Sequence, residues 1–351
     1  MKELIAKRIK SARMLARMSL RELSDALNNI VSHNAIQKYE NAEMMPDSKV
    51  LLALSNVLGV KSDYFFMPYN VEVSNIEFRK NSKLTNKDID ALKEEVRDSI
   101  SRYLELENYL NISSSFHNPI SDITISNGED VERAVNKLLT DWKIGFNALP
   151  NVIDLLEDKE IKVVEIKAPD GFDGFSGWAN ENIPVIVICK DYSVERKRFT
   201  ALHELGHLLL NFDSELSHKD VEKLCHRFAG AMLIPEDTFF REFGRIRGNI
   251  SINELIAVKE VYGISMQAIM ARAKALGVIK ENTYKGFCIK VNQNPDLKME
   301  IGFGKYQGNE NSYRFKQLLY RAVSEEAISM SKASNLANQK LATFRDEFIE
   351  I

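Results

Sequence analysis

The chain is poor in cysteine. Only Cys189, Cys225 and Cys288 occur in 351 residues, with no C-x-x-C pair. An odd count without paired spacing argues against a disulfide framework and against a cysteine-rich zinc site, and fits a reducing compartment. Long apolar runs are also missing. The stretch Ile183 to Cys189 is far too short for a bilayer, and the first residues hold no signal-peptide core. These absences point to a cytosolic protein with no membrane contact. Net charge is only −3, so the chain as a whole implies no polyanion partner.

The distribution of charge is more informative than its sum. Residues 1–21 carry seven basic groups against one acid, and residues 1–69 have a net charge of +3. A basic first domain on an acidic remainder suggests nucleic acid at the N-terminus. Residues 3–16 have helical periodicity, with Leu4, Ile5, Ile9 and Ala12 on one face. Ser19 and Glu22 form the signature of a capping box opening a second helix over 20–27, and Asn28-Asn29 makes a polar break. A third helix over 32–39 has Ser32 as its cap, and a fourth opens at Pro46-Asp47 and stops at Gly59. Two short helices across a tight break are what a helix-turn-helix needs. The third helix turns Ser32, His33, Asn34, Gln37 and Lys38 outward and Ala35 and Ile36 inward. Asn and Gln can pair with adenine, while Lys and His can reach guanine or phosphate. Arg13, Arg17 and Arg21 could neutralise backbone phosphates. The run from Ile9 through Ser19-Leu-Arg-Glu-Leu-Ser and Val31-Ser-His-Asn-Ala-Ile-Gln-Lys-Tyr-Glu-Asn41 to Pro46 resembles the XRE/Cro-type helix-turn-helix of phage repressors over residues 3–67. Arg21 departs from it, standing where a glutamine is common.

Residues 70–127 read as a connector. A charged, weakly amphipathic helix over 84–110 could dock on a neighbouring domain or pair with a second copy, and 113–119 is a loop in which His117 is solvated.

The peptide His203-Glu204-Leu205-Gly206-His207 lies in an apolar run. On a helix, positions i and i+4 share a face, so both imidazoles can reach one metal ion, and the glutamate can act as general base on a water there. Leu202, Leu205 and Leu209 form an inward stripe that would fix this helix. A catalytic zinc takes three protein ligands and keeps one position open. Asp213, Glu215, His218, Asp220, Glu222 and His226 are the downstream candidates for the third. Glu222, Cys225, His226 and Ala229 fall on or near one face of a helix within 220–235, so a crossing helix could place Glu222 on the ion and His226 a turn away. Upstream, 161–166 and 183–189 read as strands and 171–177 as a glycine-rich turn. An exposed edge strand beside the site could hold an extended peptide.

The run Thr200-Ala-Leu-His-Glu-Leu-Gly-His-Leu-Leu-Leu210, followed by Glu222 and Arg227-Phe-Ala-Gly-Ala-Met-Leu-Ile-Pro235, resembles the ImmA/IrrE metallopeptidases. The resemblance implies a gluzincin-like site with Zn2+ as cofactor, His203, His207 and Glu222 as metal ligands and Glu204 as catalytic base. Where that family often has Ala-Asn, this chain has Cys225-His226, which makes His226 a supporting neighbour of the metal or an alternative ligand. Residues 174–178, 196–198 and 271–279 fit the family too.

In the C-terminal part, 286–291 reads as a short strand, 302–308 as a loop, and 315–325 and 328–337 as helices. Its tail resembles that of larger proteins joining an XRE domain to an ImmA/IrrE peptidase. The expected fold class is multidomain and mainly α: an all-α helix-turn-helix bundle at 1–69, a helical linker at 70–127, an α+β gluzincin-like metallopeptidase domain with a small sheet at 128–285, and an α/β extension at 286–351. The expected function is a cytosolic DNA-binding transcriptional regulator with a zinc-dependent endopeptidase that cuts a repressor-like protein or itself. Its expected partners are double-stranded operator DNA, a protein substrate and a second copy in a homodimer. The alternative is a non-catalytic regulator or antitoxin whose peptidase-like domain binds a protein or ligand while the helix-turn-helix autoregulates an operon.

Overall fold

Local signals build the first helical bundle. A computed structural model describes residues 1–67, 71, 73–74, 85–113, 115–167 and 171–348. Helices α1 (Lys2–Leu15), α2 (Leu20–Ala26), α3 (His33–Glu40) and α4 (Ser48–Leu58) precede a 3-10 turn at Ser62–Phe66. The capping box of Ser19 and Glu22 forms at α2, the Ser32 hydroxyl caps α3, and Asp47 caps α4. Asn28 and Asn29 both adopt left-handed backbone, with φ of 52° and 57°, which asparagine tolerates better than most residues. Ile5, Ile9, Leu23, Leu27, Ile36, Leu54 and Phe65 close the core of this bundle.

Strand β1 (Val73–Ser74) and helix α5 (Asn86–Tyr109) come next. Residue 84, where the helix was expected to begin, and Ser114 of the expected loop lie outside the described residues. The apolar stripe of α5 is spent within the chain. Leu92, Val96 and Ile100 join the core against the main sheet, while Tyr103, Leu106 and Leu110 join the C-terminal helices. Near its N-terminal half, Asp98 meets Arg8 of α1 at 3.3 Å, and Asp88 meets Arg17 at 3.3 Å. The helix thus touches three parts of the molecule.

The second unit runs through β2 (Thr124–Ile125), α6 (Gly128–Asp141), α7 (Val152–Asp158), β3 (Lys162–Ile166), β4 (Gly174–Ala179), β5 (Ile183–Cys189), α8 (Val194–Leu209), β6 (Asn211–Phe212) and α9 (His218–Leu233). The sheet order is β1-β4-β5-β3. Strands β3 and β5 are parallel, β4 is antiparallel to β5 (Gly174 opposite Ile188, Ala179 opposite Ile183), and β1 is antiparallel to β4. Strands β2 and β6 form a separate parallel pair. Leu202, Leu205 and Leu209 of α8 are buried in the large core with α6, α7, α9 and the helices that follow.

Two expectations are corrected here. The glycine-rich stretch at 171–177 is not a turn throughout, because β4 begins at Gly174. A Cβ at Gly174 would lie 2.8 Å from the Thr200 side chain and 2.9 Å from the Val187 carbonyl, so this glycine permits close approach of strand and helix. Residues 286–291 are not a strand but part of α13 (Glu281–Gln293), which follows α10 (Glu236–Phe243), α11 (Ile252–Tyr262) and α12 (Met266–Ala275). Tyr284, Phe287 and Val291 face the core at helical spacing, and Ile289 points outward at 57% exposure. The chain ends with α14 (Pro295–Met299), α15 (Arg314–Ser324), α16 (Met330–Leu336) and α17 (Leu341–Glu347). Among the described residues, no helix is long and apolar enough to cross a membrane.

Candidate metal centre and DNA-facing helix

Helix α8 starts at its Ser193 cap and carries the two histidines one turn apart on its C-terminal half. Helix α9 starts at its Ser217 cap, and its second turn brings Glu222 to them. The two helices cross closely because residue 206 has no side chain. A Cβ there would be 3.3 Å from Phe228 and 3.4 Å from the Cys225 sulfur. At the crossing, Nε2 of His203 and Nε2 of His207 lie 3.1 Å apart. Glu222 Oε1 is 3.3 Å from His207 Nε2, and Oε2 is 3.6 Å from His203 Nε2. One ligand atom from each of the three residues falls within 4.8 Å of the others. Two imidazole nitrogens and one carboxylate, converging from two rigid helices, form a donor set that suits zinc and leaves a coordination position open. His203 is buried, while His207 and Glu222 are each partly open.

Glu204 lies beside this cluster at 4% exposure. Its Oε2 accepts a hydrogen bond from Ser176 Oγ of β4 at 3.1 Å. Gly174 of the same strand lies in ordinary contact with Glu204, a Cβ there standing 3.5 Å from the Glu204 Cγ. Nothing in the spacing of Ser176 and Glu204 along the chain signals this contact. His226 is exposed and does not belong to the three-residue donor set. Its ring stacks on Phe199 at 5.8 Å and tilts over His203 at 4.4 Å between centroids. Asp213, Glu215, His218 and Asp220 are likewise outside that set.

In the first bundle, α3 presents Ser32, Asn34, Gln37 and Lys38 to solvent and His33 partly so, with Ile36 and Tyr39 in the core. Arg21 is exposed on α2. Arg13 differs from the expectation. Its guanidinium bonds both carboxylate oxygens of Glu40, at 2.6 and 2.8 Å, and the Met18 carbonyl at 2.8 Å. A side chain so engaged ties α1 to α3 and is not available to phosphate.

Residues 9–65 match the helix-turn-helix family, and residues 156–274 match the IrrE N-terminal-like domain family. A stretch of 94 residues, 27% of this chain and 68% of the relative, is 32% identical to the HTH-type transcriptional regulator ImmR of Bacillus subtilis (strain 168). The chain belongs to the XRE-type helix-turn-helix regulators joined to an IrrE/ImmA-like domain.

In this IrrE/ImmA-like regulator, α8 is braced from beyond the matched segment. Arg198 and Glu310 are both fully buried and form an ion pair. Arg198 also donates to the carbonyls of Leu149 at 2.7 Å and Tyr262 at 3.2 Å. Glu310 accepts from the backbone N–H groups of Val152 and Ile153 at 2.9 and 3.0 Å, at the start of α7. Burial pushes the Glu310 carboxyl up, against the opposing pull of Arg198. On the same helix, Glu195 accepts from the Tyr306 N–H at 3.2 Å, and Lys197 pairs with Glu165, which in turn accepts from the Ser312 N–H at 3.1 Å. The segment around 306–312, which overlaps the loop expected at 302–308, thus holds the N-terminal half of α8 in place.

Proposed function

We propose that this regulator is a zinc-dependent endopeptidase as well as a DNA-binding protein. In this reading His203, His207 and Glu222 hold the metal, Glu204 is the catalytic base, and the substrate is a repressor-like protein or the chain itself. The observation that supports it is the convergence of the two imidazoles and Glu222 beside a buried Glu204 held by Ser176. Zinc bound there supplies a Lewis acid that polarises a peptide carbonyl. Glu204 takes a proton from the attacking water as it adds to the carbonyl carbon, and passes it to the departing amine as the C–N bond breaks. Ser176 holds one oxygen of that carboxylate by a hydrogen bond and so positions the base. His226 flanks the ligands as a supporting neighbour.

At the other end, Arg21, Ser32, His33, Asn34, Gln37 and Lys38 meet operator DNA, with a homodimer placing two copies of α3 on paired half-sites. Regulated proteolysis in the cytosol would then be tied to transcription, across an N-terminal DNA-binding domain at 1–69, a connector at 70–127, a peptidase domain at 128–285 and a brace at 286–351. The test is cleavage of the chain itself or of co-encoded partners by zinc-loaded protein. Glu204→Gln should abolish cutting while zinc content and DNA affinity stay unchanged. If wild-type protein with its metal site filled cuts none of these, the catalytic reading fails and a protein-binding regulator takes its place.

A further inference from the structure

Strands β4 and β5 both pack against α8, and β4 is the one that bonds Glu204. Ser176 bonds Glu204, and Gly174 lets the strand lie close against Thr200 of the same helix. One side of β4 is paired along its whole length with β5, from Gly174 opposite Ile188 to Ala179 opposite Ile183. The other side is the one on which an extended peptide could add as a new strand. Part of that side is already taken by this chain. Val73 pairs with Ala179 and Ser74 with Trp178, in antiparallel sense. Trp178 lies about 7 Å along the strand from Ser176 at ordinary strand rise, so a peptide continuing on this track passes the Glu204 hydroxyl partner. A second observation anchors the segment. Val71 is buried in the core between α5 and the sheet, in the same cluster as Leu92, Val96, Phe175 and Ala179. This stretch connects the DNA-binding bundle to α5.

We propose that β1 is a built-in strand ligand: it occupies the edge of β4 on which a substrate peptide lies, and holds the peptidase closed to other extended peptides. The proposal rests on the peptidase reading for the identity of the substrate edge. A segment tethered this closely competes at an effective concentration of about 1 mM, enough to exclude a free peptide of ordinary affinity. Substrates would be extended segments that pair antiparallel with β4 by main-chain hydrogen bonds.

The test uses full-length protein loaded with zinc. A fluorescent peptide with the sequence of residues 69–76, Tyr-Asn-Val-Glu-Val-Ser-Asn-Ile, is titrated against three proteins: Glu204→Gln, Glu204→Gln with Val73→Pro and Ser74→Pro, and Glu204→Gln with Val71→Ala. The prolines remove the N–H donors of β1, and the alanine weakens its anchor. The proline variant should bind the peptide at least tenfold more tightly than the first protein, and the alanine variant at least threefold. Equal affinities in all three overturn the proposal. Zinc content checks the fold, and if the proline variant loses its metal, the alanine variant decides alone. With Glu204 restored, cleavage of the peptide should rise in the same order. Tighter binding with no cleavage leaves the strand ligand standing and removes the peptidase reading. Cleavage at one rate with equal binding does the reverse.

Discussion

Gly206 and Cys225 face each other at the crossing of α8 and α9, where a methyl group on the glycine would stand 3.4 Å from the sulfur. The three proposed ligands come from these two helices, so the separation of the helices sets the size of the proposed metal site. A valine at 206 must push α9 outward. Gly206→Val should cost about 1–3 kcal/mol of stability and weaken zinc binding at least tenfold in competition with a chelator. Gly206→Ala is the control: the gain of about 1 kcal/mol in helix propensity offsets the squeeze on Phe228 and Cys225, so zinc affinity should stay within a few-fold of wild type. Wild-type zinc affinity in the valine variant would show that the helices can part without cost to the site.

What could be read from the sequence was mostly local. The caps at Ser19, Ser32 and Asp47, the asparagine break and the Gly59 stop each depend on a few neighbouring residues, and all form. The pairing of His203 with His207 follows from helical spacing, whereas Glu222 is one of several downstream candidates until the family resemblance singles it out. The missed features are contacts between distant parts of the chain. Ser176 reaches Glu204 across 28 positions, and Glu310 reaches Arg198 across 112. Nothing in the spacing of either pair announces a contact. The glycines of β4 were misread because a glycine that admits a neighbouring helix looks, in sequence, like one that bends a turn. The α13 segment was misread because six residues with alternating apolar positions fit either period.

Arg13 and Arg21 should separate folding from DNA binding. Arg13 spans α1 and α3 through Glu40, and both side chains are largely buried. Arg13→Ala leaves a carboxylate without its partner and should cost about 2 kcal/mol, with the salt dependence of DNA affinity unchanged at temperatures where the variant is folded. Arg21 is exposed and should do the opposite. Arg21→Ala should leave stability within about 0.5 kcal/mol and lower the slope of log affinity against log salt by about one. Thermal melts and binding titrations over a range of salt decide the matter. A reduced salt slope for Arg13→Ala would return that residue to the DNA-facing surface.

Glu157 should make stability depend on pH near neutrality. It ends α7 at 4% exposure and accepts from Ser312 Oγ at 2.7 Å and the Arg314 N–H at 3.4 Å. Burial pushes its carboxyl up to about 7 from an ordinary value of 4.5, and the two hydrogen bonds only partly oppose this. Between those two values the folded protein keeps a proton that the unfolded chain has released. Stability therefore falls as pH rises through that window, by about 3 kcal/mol in all, and stays at the lower level above it. Glu157→Gln cannot ionise and should lose this part of the slope. Glu107 and Glu310 are also pushed up by burial and contribute slopes of their own to both proteins, so the difference between the two curves isolates Glu157. Urea midpoints for the two proteins should nearly coincide at pH 4.5, with any constant offset from the amide, and diverge in favour of the glutamine variant by pH 8. Curves that run parallel across that range would mean that Glu157 ionises in the folded protein as easily as in water.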